Sequence, residues 1–234
     1  MHIILIDKTI FSFDGTVNTI VDLTITLHSV QGNNPRSISF MIQTTYTADC
    51  AMIISTGTAS TSHAFGIGFS CDYSNDVYNI IQVYSHNADY RPKTGKVVND
   101  GLWHTVLVTY DGTTLSIYVD GILDNTATNW NSITGGSISS TLNTLGNNNY
   151  LGQYVDGSFG KWIGQLKNVN FYNYVITNTY ALANSYQLAG GILYTSGRLS
   201  YIYVCIYIIH TNLILSMKIN LMEFKIINAY NSHR

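Results

Sequence analysis

Apolar and polar residues alternate with a period of two through much of the chain. Leu23-Thr24-Ile25-Thr26-Leu27 is one such run, and Ser37-Ile38-Ser39-Phe40-Met41-Ile42 is a second. The clearest pair is Thr105-Val106-Leu107-Val108-Thr109-Tyr110 followed by Leu115-Ser116-Ile117-Tyr118-Val119. Period two places alternate side chains on opposite faces of a strand, so these runs predict half-buried β-strands. Asp-Gly dipeptides punctuate them at 14–15, 100–101, 111–112, 120–121 and 156–157. Both residue types tolerate positive φ, so Asp-Gly suits a tight hairpin. Short alternating strands joined by regular turns predict an all-β sandwich or barrel. Only residues 177–188 read as a short turn of helix. Two long polar loops are expected, one through residues 71–76 and one over residues 126–149.

Composition narrows the function classes. Charged residues make up 10% of the 234, and the formal net charge is -2. No basic patch points to a nucleic-acid backbone. Solubility rests instead on Ser, Thr, Asn and Gly, and the abundance of Asn, Ile and Tyr fits an AT-rich coding sequence. The three cysteines, Cys50, Cys71 and Cys205, form no CxxC pair. Their odd number favours reduced core thiols; a Cys50–Cys71 bridge requires an oxidising compartment. The N-terminus has no basic stretch followed by an apolar one, and no Asn-x-Ser/Thr sequon occurs anywhere. Both features favour assembly in the cytoplasm over classical secretion.

The segment Asn99-Asp100-Gly101-Leu102-Trp103-His104-Thr105-Val106, continued through Tyr110-Asp111-Gly112 to Tyr118-Val119-Asp120-Gly121, resembles the core signature of laminin-G-like, concanavalin A-like domains. Phe13-Asp14-Gly15 is similar to the family's opening motif. Asn143-Thr144-Leu145-Gly146 and residues 164–173 are similar to its closing strands, and residues 177–186 stand where the family has a final helical turn. There Tyr180 replaces the usual acidic residue. The resemblance implies a two-sheet antiparallel β-sandwich, a jelly roll of the concanavalin A-like kind, over residues 1–196. It implies no particular ligand. Within it Trp103 is expected to plug the core, with His104 facing the other way.

The fold also hosts glycan hydrolases, which need two carboxylates flanking one bond. The chain has a single glutamate, Glu223, outside the domain, and its aspartates fall mainly in turns. A non-enzymatic recognition module is therefore expected, binding a glycan or protein ligand through its rim loops. Trp130, in the polar setting Asn129-Trp130-Asn131, has no obvious core to fill and is a candidate stacking ring. Asn129, Asn147, Asn148 and Tyr73 complete the candidate ligand set. Calcium is the candidate cofactor, because it takes six to eight oxygens. Asp72, Asn75 and Asp76 supply oxygens densely, and Asp89 is expected to join from the next loop.

After Gly197 the composition changes. Residues 199–217 carry no charge and are flanked by Arg198 and Lys218. Their length suits a membrane span, but His210, Thr211 and Asn212 near the middle are costly in hydrocarbon. The tail, 197–234, reads as a membrane anchor, as strands packed on a partner, or as a segment foreign to the domain. The alternative function is a jelly-roll component of a larger assembly, such as a virion surface or capsid.

Overall fold

Two antiparallel sheets face each other across one apolar core. The computed structural model describes residues 3–6, 10–23, 30–47, 50–69, 79–86, 89–92, 94–128, 142–176, 194–195 and 198–199. A seven-stranded sheet has the order β1 (Ile3–Ile6), β12 (Ile163–Tyr172), β4 (Arg36–Gln43), β8 (His104–Tyr110), β9 (Thr114–Val119), β10 (Ile122–Thr128). β2 (Phe11–Asp14) also pairs with β12, alongside its first half. The five-stranded sheet runs β3 (Val21–Asp22), β11 (Asn148–Leu151), β5 (Met52–Gly57), β6 (Ala64–Phe69), β7 (Ile81–Tyr84). The only described helix is one 3-10 turn at Val17–Thr19. The all-β sandwich expected from the alternation is therefore present.

The strands follow the pattern that predicts them. Ile38, Phe40 and Ile42 of β4 point into the core beside Val106 and Val108 of β8 and Ile117 and Val119 of β9. Ile54, Phe65, Ile67 and Val83 meet them from the other sheet. Each such fully buried side chain contributes about 1.5–3 kcal/mol relative to exposure. The β9–β10 turn is the two-residue hairpin expected of Asp-Gly: Asp120 and Gly121 have φ of 50° and 78°, and Val119 pairs with Ile122.

Both outer faces are partly covered. On the seven-stranded sheet the chain after β12 folds back. There Ser37 Oγ donates to the Tyr174 carbonyl (2.8 Å) and accepts from the Ile176 N–H (2.9 Å), while Leu107, Tyr172 and Ile176 pack together. On the five-stranded sheet Tyr154, Val155 and Phe159 cover Met52, Ala64 and Tyr84.

Three expectations need correction or placing. The tryptophan that fills the core is Trp162, fully buried and edge-on to Phe69 with centroids 5.0 Å apart. Trp103 is half-buried on the outer face of the seven-stranded sheet, with Lys167 Nζ 4.0 Å from its ring centroid. His104 takes the inward parity of Val106 and Val108 and is 4% exposed. Cys50 is not a reduced thiol but disulfide-bonded. Its partner is Cys71 or Cys205, both outside the described residues. The boundary drawn at 196/197 lies outside the described residues, between β13 (Tyr194–Thr195) and β14 (Arg198–Leu199), which pair antiparallel. Residues 177–188 and 200–234 lie outside the described residues. Among the described residues no helix is long and apolar enough to cross a membrane.

Candidate functional site

The sandwich has two rims of opposite chemistry. At one end the loop before β8 and the β9–β10 turn carry charge. His104 Nδ1 lies 2.8 Å from Asp120 Oδ2, and its Nε2 lies 2.9 Å from Asp100 Oδ1. Lys96 Nζ also donates to Asp120 Oδ2, and the Thr105 N–H donates to Asp120 Oδ1 (2.9 Å). Burial alone raises the Asp120 carboxyl pKa; the hydrogen bonds from His104, Lys96 and Thr105 outweigh it and leave the value lowered to about 2. His104 is pushed above its ordinary value, chiefly by the hydrogen bond to Asp120, against the opposing effect of burial. The network locks the turn between β9 and β10 to the start of β8.

At the other end the rim is built of amides. Arg36, the first residue of β4, is fully buried and organises it. Its Nη1 donates to the Val30 carbonyl and to Thr144 Oγ1 (2.9 Å). Its Nη2 donates to the carbonyls of Gln31 (3.2 Å) and Gly32 (2.6 Å), and its Nε to that of Asn34 (2.9 Å). The guanidinium also lies 5.5 Å from the Phe65 ring centroid and 5.7 Å from that of Tyr110. Burial lowers its pKa to about 10, so it stays charged at neutral pH. Taking a cation out of water is costly without strong acceptors; carbonyls and ring faces supply them here. The 30–34 loop is thereby wrapped around one fixed group.

The loop Arg36 holds meets residues 142–148 side by side. Gly32 and Thr144 exchange backbone hydrogen bonds (2.7 and 3.1 Å). Gln31 Nε2 donates to the Gly146 carbonyl (2.9 Å) and to Asn147 Oδ1 (3.2 Å). Asn33 Nδ2 donates to the Gly112 carbonyl (3.2 Å), and the Tyr110 hydroxyl lies against Asn33 Oδ1. Asn33, Asn34, Asn143, Asn147 and Asn148 are all exposed here, with Leu145 among them at 42% exposure. Asn143 and Asn148 make no side-chain hydrogen bond among the described residues. An amide offers two donors and one carbonyl acceptor. Five of them beside an apolar side chain form a surface complementary to hydroxyls and C–H groups together.

Of the residues singled out in sequence, Asn147 and Asn148 stand on this rim. Thr128, the last described residue before Asn129 and Trp130, pairs with Thr114 at the same end. Asn129, Trp130, Tyr73, Asp72, Asn75 and Asp76 lie outside the described residues. Asp89 is described and is already engaged. Its Oδ1 accepts the Ser85 N–H (2.9 Å), and its Oδ2 pairs with Arg91 (2.8 Å). It stands beside Tyr84, at the end of β7 away from Ile81. Among the described residues no three His, Cys, Asp or Glu side chains are grouped to hold a metal.

Gln31, Asn33, Asn34, Asn143 and Arg36 were not expected. The consecutive amides Asn33-Asn34, lying between two alternating runs like Asn147-Asn148-Asn149, are the signal that would have found the rim.

The aspartates of the other Asp-Gly pairs serve their own turns. Asp14, Asp100, Asp111 and Asp156 each accept the N–H two residues on, from Thr16, Leu102, Thr113 and Ser158, at 2.8–2.9 Å. Side-chain and backbone hydrogen bonds from Thr16 lower the Asp14 pKa, and the Leu102 N–H lowers that of Asp100. At Asp111 burial pushes upward, and the Thr114 and Thr113 bonds prevail.

Comparison with known proteins agrees with this architecture. None of the curated proteins compared with the chain matches it. Among solved structures, the CBM40 module of an IT-sialidase from Ruminococcus gnavus is similar at a TM-score of 0.55 and 16% identity, covering 78% of this chain and 98% of that one. Domain 4 of AbnA, a GH43 extracellular arabinanase from Geobacillus stearothermophilus, is similar at 0.52 and 15%, covering 77% and 87%. The heptameric SAP-like pentraxin of Limulus polyphemus is similar at 0.53 and 14%, covering 75% and 80%. Identities this low establish a shared fold. The family model of the concanavalin A-like lectin/glucanases superfamily matches residues 15–180, most of the sandwich, and the chain belongs to that superfamily, in its laminin-G-like form.

Proposed function

We propose that the chain is a non-enzymatic glycan-binding module and that its ligand docks on the amide rim. The observation that carries this reading is the row of exposed amides, Asn33, Asn34, Asn143, Asn147 and Asn148, on two loops that buried Arg36 ties together. Loops whose backbone is already held cost little ordering entropy on binding. Leu145 supplies an apolar surface for sugar C–H groups, and Trp130, close in sequence to the rim strand β10, is a stacking candidate. Two of the structural neighbours bear on the ligand class: the AbnA domain is in complex with arabinotriose, and the CBM40 module is bound to α2,3-sialyllactose.

A binding role rather than hydrolysis is supported by the carboxylates. A glycosidase acid needs a carboxyl held above its usual range. Asp14, Asp100, Asp111 and Asp120 are all shifted the other way.

The test is a glycan-array screen of the full chain with calcium and again with chelator. Binding that Asn147→Ala or Asn143→Ala reduces, and that Trp103→Ala on the sheet face does not, supports the reading. A folded chain that binds no glycan overturns it. Loss of binding in chelator, reproduced by Asp72→Ala, would support calcium held by the 72–76 segment. Binding unchanged in chelator removes calcium from the account.

A further inference from the structure

Charge is divided unequally between the two rims, and that division speaks to the ligand. The segments that build the amide rim are residues 30–35, 58–63, 111–114 and 142–149. They contain no lysine or arginine, and their only carboxylate is Asp111. Asp111 spends Oδ1 on the N–H groups of Thr113 and Thr114 (2.8 and 2.6 Å). The next charged residue after Asp124 is Asp156, so the whole of residues 125–155, Trp130 included, is uncharged. Among the described residues Arg36 is the one cation in the rim's foundation, and its donors are turned onto four carbonyls and one hydroxyl beneath the surface. Arg91, at the neighbouring strand, is paired with Asp89 and is 15% exposed. The exposed cation Lys96 stands at the far end, bound to Asp120.

We infer that the ligand is an electrically neutral glycan, not a sialylated or sulfated one; this inference rests on the amide rim being the binding surface. An anionic sugar needs a charge-assisted donor, from Arg or Lys, to repay the water its carboxylate or sulfate gives up. This rim has amides and hydroxyls, which match sugar hydroxyls one for one, and no free cation among its described residues. A carboxylate brought here would also approach Asp111 without a counter-charge. The rim's chemistry therefore separates two ligand types that the fold alone does not.

Isothermal titration of the full chain with paired probes tests this. Arabinotriose and lactose are the neutral probes; 3′-sialyllactose and a 3-O-sulfated lactose are the anionic ones. The neutral member of the lactose pair is expected to bind at least about tenfold more tightly than its sialylated or sulfated form, the loss that follows when a buried charged group goes unpaired. If lactose is not bound, arabinotriose against the two anionic sugars supplies the same comparison. Raising salt from about 0.05 M to about 0.3 M should change the neutral affinity by less than about twofold, since no ion pair is screened. Tighter binding of either anionic probe, or affinity that falls steeply with salt, overturns the inference while leaving glycan binding intact. A chain that binds none of the probes, and nothing on an array of neutral glycans, overturns the inference and the proposed function together. Asn147→Lys supplies a second reading: it should narrow the neutral preference by placing a cation on the rim.

Discussion

Replacing His104 with Gln removes the one group that holds Asp100 and Asp120 together. Neutral imidazole has one N–H; imidazolium has two. Both ring nitrogens of His104 face a carboxylate oxygen, at 2.8 and 2.9 Å, so only the protonated ring satisfies both. Lys96 is the other cation on this network, donating to the same Asp120 oxygen. The folded-state pKa of His104 is raised. Its stabilisation is thus complete below the unfolded value of about 6.5 and fades as pH rises through the folded value. Asp120 works in the opposite direction. Its folded pKa is lowered from 3.8 to about 2, so its stabilisation is present above about pH 4 and is lost as pH falls toward 2. That lowering corresponds to about 2 kcal/mol before screening. The Asp120 side chain is 31% exposed and shares its donors among His104, Lys96 and Thr105, so the part owed to His104 is about 1 kcal/mol. Urea denaturation from pH 5.5 to pH 9 measures it. Wild type should lose about 1 kcal/mol relative to His104→Gln across that range, a difference of about 2–4 °C in Tm for a domain this size. Contributions common to both proteins cancel in the difference. Two parallel pH curves would refute the clamp.

Arg36→Ala should destabilise the domain by about 3–5 kcal/mol, because it orphans acceptors in the 30–34 loop and leaves a large void between Phe65 and Tyr110. Arg36→Lys should cost about 2 kcal/mol, since three rotatable donors cannot reach five acceptors. Equal urea midpoints for wild type and Arg36→Lys would show that the buried guanidinium is not the rim's anchor. Gly57→Ala should cost at least about 2 kcal/mol by the same assay: φ is +102°, and a Cβ would stand 2.2 Å from the His63 carbonyl. A neutral result there would contradict the close approach of the β5 end to the 58–63 turn.

Much of this fold is legible in the chain because its determinants are local. Asp120-Gly121 sets its own hairpin, and Val106, Val108, Ile117 and Val119 declare a face by alternation. The same alternation holds the correct answer at Trp103 and His104. Stepping back two residues from Val106 lands on His104, so the histidine is the inward residue and the tryptophan lies on the outer face. Expecting the larger, more apolar ring to be inside overrode the parity. Arg36 is hidden for a different reason. Nothing local marks it out; its burial depends on Thr144 and Phe65, which only the folded topology brings to it. The amide rim is half legible. Asn147 and Asn148 stand out as a polar run, but their partner loop at Gln31–Asn34 is more than a hundred residues away in sequence. Cys50 illustrates the limit of counting: an odd number of cysteines does not reveal that Cys50 is bridged.

Hydrogen–deuterium exchange of the full chain, free and saturated with whichever glycan it binds, tests the location of the site most directly. The account predicts slowed exchange in residues 30–35 and 142–149, with the charged rim at residues 96–104 unchanged. Protection confined to residues 96–104 and 119–123, or to the outer face around Trp103 and Lys167, with the amide rim unaffected, would contradict it.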